Sequence, residues 1–206
     1  MRRQPSMNRY LPLPVVAVLV WVAATLLLAA PANAQATSIP ILNPEFTLDT
    51  LPCNPGSGCN TYGISGWVTG PQTYILKAST TQYPSAPATG LYVAALGNGT
   101  STGSIFQTVG ATVQANTTYV LSVKVGARAD DVFTGYLVSL LAGNVTLVSG
   151  HRATPVGGTF VPEVVAYESG ATPPQLGQPL QILITSLGTG QASIANVALS
   201  AQPTTE

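Results

Sequence analysis

From Gln35 to the C-terminus, apolar residues come in short runs broken by Gly, Pro, Asn and Ser, and nowhere do they recur at steps of three and four. Runs of this length, rich in Val, Ile, Thr and aromatics, predict strands, and the missing helical period leaves no place for a helix. The pattern predicts strands over 39–47, 64–68, 73–78, 91–96, 104–109, 118–128, 133–141, 145–149, 160–167, 180–186 and 192–199. In the 118–128 run, Tyr119, Leu121, Val123 and Val125 alternate with Ser122, Lys124, Gly126 and Arg128. One face is therefore apolar and the other wettable. Ala142-Gly143-Asn144 joins two apolar runs with residues that tolerate positive φ, so 133–149 reads as a hairpin. The expected fold is all-β, a two-sheet antiparallel β-sandwich.

The one long apolar run lies elsewhere. Arg2, Arg3 and Arg9 precede an uncharged stretch at 15–30, which closes on Pro31-Ala32-Asn33-Ala34-Gln35. A basic segment, an apolar segment and small residues in an A-x-A pattern make a signal peptide over 1–34, cut after Ala34. An uncleaved anchor would need roughly 20 apolar residues to span a bilayer. A twin-arginine signal would need residues after Arg2-Arg3 that are absent. A secreted domain of residues 35–206, extracellular or at the cell surface, is expected, with no membrane span in the mature chain.

Charge narrows the partners. Lys77, Lys124, Arg128 and Arg152 face Glu45, Asp49, Asp130, Asp131, Glu163, Glu168 and Glu206 in the mature chain. Phosphate binding takes a cluster of cations, so nucleic acid is excluded as a partner. The two cysteines, Cys53 and Cys59, flank Asn, Pro and Gly. In an oxidising compartment they read as a disulfide pinning one loop. A metal or redox pair would bring CxxC spacing or a nearby His, and neither is present.

No catalytic centre is legible. His151, the single histidine, stands in the turn-like Ser149-Gly150-His151-Arg152. Gly99-Thr100-Ser101-Thr102-Gly103 matches a nucleophile elbow, but a strand-like run follows where the elbow needs a helix. Asp130 and Asp131, or Glu163 and Glu168, are the carboxylates available for paired acid–base work. Neighbours on a strand point to opposite faces, so the Asp pair converges only in a turn. No enzyme activity is expected, and no catalytic or metal-binding residue.

Several short motifs carry a resemblance. Asn43-Pro44-Glu45-Phe46, Gly66-Trp67, Gly90-Leu91-Tyr92-Val93-Ala94, Ile105-Phe106-Gln107-Thr108-Val109, Thr118-Tyr119-Val120-Leu121 and Ile194-Ala195-Asn196-Val197-Ala198-Leu199 together resemble the galactose-binding-like jelly rolls. These include carbohydrate-binding modules and related extracellular domains of bacterial and plant surface proteins. The resemblance implies a jelly roll over nearly the whole mature chain and a sugar-binding role. It also implies a structural calcium, held by carboxylates at the places occupied here by Thr47 and Ala195. Calcium takes several oxygens, carboxylates among them. Glu45 and Asn196 are the substitutes at hand, and no other cofactor is expected.

Sugars are bound by aromatic faces and by a few polar groups that fix hydroxyls. Arg128, Lys124, Tyr74, Tyr83, Gln107 and Trp67 are the candidate ligand-binding residues. Arg128 and Lys124 share a strand face, and Tyr74 and Tyr83 are flanked by polar residues and Pro, as exposed aromatics are. The expectation is a secreted, non-catalytic binding module for carbohydrate or cell-surface glycan. Its alternative is a structural or adhesive surface protein whose partner is the matrix, with Asn98, Asn116 and Asn144 in glycosylation triplets.

Overall fold

The computed structural model describes residues 35–54, 58–85, 91–131, 133–151 and 153–204. The expected signal peptide, 1–34, lies outside them. Twelve strands run in chain order: β1 (Thr37–Ile39), β2 (Cys59–Tyr62), β3 (Val68–Thr69), β4 (Thr73–Ala78), β5 (Leu91–Leu96), β6 (Ser104–Thr112), β7 (Thr117–Ala127), β8 (Gly135–Ala142), β9 (Val145–Gly150), β10 (Thr159–Glu168), β11 (Pro179–Leu187) and β12 (Ala192–Pro203). No helix occurs among the described residues, hence none long and apolar enough to cross a membrane.

Two antiparallel sheets stack as a jelly-roll-like sandwich. The larger has the order β10-β7-β12-β5-β4-β2, with β1 also paired to β12, and the smaller has the order β3-β6-β11-β8-β9. The alternation in β7 settles the orientation of the large sheet. Tyr119, Leu121, Val123 and Val125 are buried between the sheets, with Ile75, Leu96 and Ile194 from the neighbouring strands and Val138, Leu140, Ile182 and Ile184 from the small sheet. Each large aliphatic side chain removed from water contributes about 1.5–3 kcal/mol, so this layer supplies the main driving force.

Local structure departs from the pattern where backbone conformation overrides it. The run 39–47 is a strand only to Ile39, because Asn43 (φ 50°) and Phe46 (φ 57°) turn the chain. The Asn43 side chain holds that turn, accepting from Leu48 N at 3.1 Å and donating to Ser65 O at 2.9 Å. The run 64–68 is mostly a tight turn about Gly66 (φ 84°), closed by Trp67 N donating to Ile64 O at 3.0 Å. β2 went unanticipated because Cys59-Asn60-Thr61-Tyr62 lies on an exposed edge and shows no apolar alternation. β12 runs past 199 to Pro203 because β7 pairs with it there, Gln202 opposite Thr118 and Pro203 opposite Thr117, with β1 on its other side as far as Ala201. The hairpin at 133–149 forms as β8 and β9, with Gly143 and Asn144 at φ 56° and 67°. Cys53 and Cys59 are disulfide-bonded, their Cα atoms 6.0 Å apart.

Candidate active site

The outer face of the large sheet is unusual in being apolar too. Tyr74, Leu76, Ala78, Tyr83, Val93, Ala95 and Ala195 form a second buried cluster there, with Leu91 and Phe160 packed against it. Strand register explains its shape. Phe160 lies opposite Gly126, Gly126 opposite Ser193, Ser193 opposite Ala95, Ala95 opposite Tyr74 and Tyr74 opposite Tyr62. One row across six strands thus has aromatic rings at both ends and Gly, Ser and Ala between them. Cross-strand neighbours share a face at about 5 Å, so the three small residues make the floor of a trough and the rings make its walls.

The chain leaving β4 crosses this trough. Ser79 and Gln82 close a turn, and Gln82 O accepts from Ala129 N at 3.0 Å beyond β7. Tyr83 is thereby laid over the floor and stacks on Phe160, the ring centroids 4.6 Å apart at 28°. Tyr62, at the opposite end, is exposed and meets Tyr74 edge to face.

One end of the trough is polar. Arg128 donates to both oxygens of Asp130, at 2.9 and 2.7 Å, and to Gln191 Oε1 at 3.2 Å. Gln191 passes the network on by donating to the Tyr74 hydroxyl. The hydrogen bond from Arg128 holds the Asp130 carboxyl below the usual range, so near neutral pH Asp130 is an anion and no proton donor. Burial raises the phenol of Tyr74, with Arg128 opposing, and raises that of Tyr83 further. Both stay protonated. Two polar groups in the floor remain unsatisfied: the hydroxyls of Tyr83 and Ser193 are buried and reach no hydrogen-bond partner.

The six residues proposed from sequence therefore divide. Arg128, Tyr74 and Tyr83 meet at the trough, although the two tyrosines are buried, not exposed. Lys124 shares the face but points to solvent beside Pro162 and Glu45. Trp67 packs in the sandwich core on Phe46 and donates to Asn43 O at 3.1 Å. Gln107 is buried at the other sheet, pinning Leu42 and Gly66 through their backbones. Phe160, Gln191, Ser193, Ala95 and Gly126 were not singled out. Gly126 inside a β-branched strand was the available signal, since such a glycine marks close approach of another group.

The calcium implied by the fold does not suit the residues present. Glu45 and Asn196 line one surface groove of about 310 Å³. The Lys124 ammonium lines the same groove, and Thr47 and Ala195 add no carboxylate. A single carboxylate beside a fixed cation is a poor set for a divalent ion.

Residues 37–200, which contain every member of the trough, match the family model HpiC1-like, described as HpiC1 cyclase. The chain belongs to the HpiC1-like cyclase family. Among solved structures it is similar to the Stig cyclase FisC from Fischerella sp. TAU, with TM-score 0.72 and 24% identity over 83% of this chain and 100% of that one. An apo cyclase from Fischerella sp. matches with TM-score 0.71 and 24% identity, covering 83% of this chain and 98% of that one. The carbohydrate-binding module TmCBM61, solved with β-1,4-galactotriose, follows at TM-score 0.50 and 12% identity over 79% and 98%. At these identities the likenesses show the shared jelly roll. No curated protein matches.

Family membership corrects the functional expectation. A non-catalytic module for carbohydrate or glycan, its adhesive alternative with a matrix partner, and the absence of enzyme activity all give way to a cyclase family. The physical reason lies in where the recognised motifs sit. Asn43, Trp67 and Gln107 build turns and core, so they report the jelly roll and not the chemistry grafted on it.

Proposed function

We propose that this chain is a cyclase that folds a small, largely apolar substrate bearing an aromatic ring in the outer trough and closes a ring within it. The observation that carries the reading is that the cyclase family match spans all the trough residues. Two cyclase structures of the same fold, both from Fischerella sp. TAU, hold an indole ligand, one of them 4-(1H-indol-3-yl)butan-2-one.

The trough suits that task. Ring closure within one molecule requires a compact conformer whose reacting atoms touch, and holding it can contribute about 7–11 kcal/mol of barrier lowering. Tyr74, Tyr83 and Phe160 supply ring faces on which a planar ring can stack, above strands whose residues there, Gly126, Ser193 and Ala95, are small. Positive charge developing on the substrate is stabilised by aromatic faces. The polar end offers hydroxyl, amide and guanidinium donors, with Asp130 kept ionised by Arg128. These groups polarise and orient the substrate. The reading places the enzyme outside the cytoplasm, supported by the N-terminal basic-apolar segment and the Cys53–Cys59 disulfide.

The test is titration of the 35–206 chain with 4-(1H-indol-3-yl)butan-2-one by calorimetry. Saturable binding is expected, weakened at least tenfold in Ala95→Val, which raises the floor, and unchanged in Leu187→Ala, an exposed site on the small sheet. Absence of saturable binding, or equal binding by both variants, would refute the assignment of the site.

A further inference from the structure

Ser193 stands in the floor of the trough between Gly126 and Ala95, neither of which has a side chain larger than a methyl. Tyr83 comes down on it from the crossing segment. Both residues are almost wholly buried, at 0% and 1% exposure, and neither hydroxyl makes a hydrogen bond. The two are neighbours: the Ser193 hydroxyl, the one group that could pair with the Tyr83 phenol, opposes the rise that burial causes in it, but no partner meets either oxygen in good hydrogen-bonding geometry. Buried hydroxyls without partners are rare in folded proteins, because they forfeit their hydration, and each one calls for an explanation. The rest of the network does not supply it. Gln191 is spent on Arg128 and Tyr74, and the Arg128 fork is spent on Asp130 and Gln191.

Resting on the cyclase reading, we propose that the Tyr83 and Ser193 hydroxyls are a two-donor cradle for one hydrogen-bond-accepting atom, a ketone oxygen or imine nitrogen, in an otherwise apolar substrate. Each hydroxyl has one hydrogen and a free rotor, so both can aim at a single acceptor lying between them. Hydroxyls prearranged in a dry setting strengthen as negative charge grows on that acceptor, drawing electrons from the part of the substrate that closes the ring. The cradle fixes which end of the substrate lies over the floor.

The test compares 4-(1H-indol-3-yl)butan-2-one with 3-butylindole, which lacks the oxygen, in the wild-type protein, Tyr83→Phe and Ser193→Ala. Tyr83→Phe keeps the ring that stacks on Phe160. The wild type should prefer the ketone by about tenfold or more, and each variant should lose most of that preference with binding of 3-butylindole unchanged. Melting temperatures of the unliganded variants should match or exceed the wild type, since each deletes an unsatisfied group. Equal binding of the two compounds by the wild type overturns the cradle while leaving the site assignment intact. Binding of neither overturns the site assignment and the cradle with it. A melting temperature lowered by several degrees in both variants shows the hydroxyls to be bonded scaffold and likewise overturns the proposal.

Discussion

Gly126 is the residue on which the trough most depends, and Gly126→Ala tests its construction. A Cβ at this position would lie 2.4 Å from Phe160 Cε1 and 2.7 Å from Cδ1 and Cζ. Carbon atoms settle at about 3.5–4.0 Å, so the ring must retreat by about 1 Å. It is not free to do so, because Tyr83 stacks on it at 4.6 Å and is itself tied down through the Ser79–Gln82 turn. Overpacking of this kind costs about 1–3 kcal/mol. Alanine in place of a strand glycine returns roughly 0.5–1 kcal/mol through the smaller entropy of the unfolded chain. Gly126 is absent from the positive-φ glycines, so no backbone strain enters. The net loss should lower the melting temperature by several degrees, at about 2–4 °C per kcal/mol for a domain of this size. In a Phe160→Ala background the clash is gone and the same substitution should be neutral or stabilising. Thermal melts followed by circular dichroism on the four proteins of this cycle decide the matter. An equal loss in both backgrounds, or none in either, would mean that Phe160 does not seat on Gly126.

Two further outcomes follow from the charges and the cysteines. Asp130 has its folded-state pKa depressed by Arg128, so the pair contributes stability above the unfolded carboxylate value near pH 4, and that contribution is lost as pH falls through the folded value. Because the carboxylate is 43% exposed the effect is small, and Arg128→Gln should flatten the decline of melting temperature below about pH 4 without abolishing it; identical profiles would remove Arg128 as the cause. Secreted protein weighed intact should begin at Gln35 and gain the mass of two hydrogens on reduction of the Cys53–Cys59 bond. Protein that still carries Met1–Ala34, or one with two reactive thiols, would contradict export through cleavage and oxidation.

The chain by itself determined the all-β class, because period-two alternation such as Tyr119, Leu121, Val123 and Val125 can bury one face only as a strand. It also determined the hairpin at Gly143-Asn144 and the loop disulfide, which depend on neighbours a few residues apart. It named Arg128, Tyr74 and Tyr83, through their side-chain chemistry, without placing them together. Their meeting required register. Phe160, Gly126, Ser193, Ala95, Tyr74 and Tyr62 come from six strands, and a shift of one residue in any of them would send its member to the opposite face. Register in turn depends on the β12 bulge at Asn196 and on the packing of the sandwich, neither of which is a local property. Tyr83 and Gly126 show the limit most plainly. Polar and Pro neighbours made Tyr83 look exposed, and no local feature told that the segment beyond β4 folds back across the sheet. Gly126 within its strand signals a close approach, but only the tertiary structure names the Phe160 ring as the group that fills the place of its missing side chain.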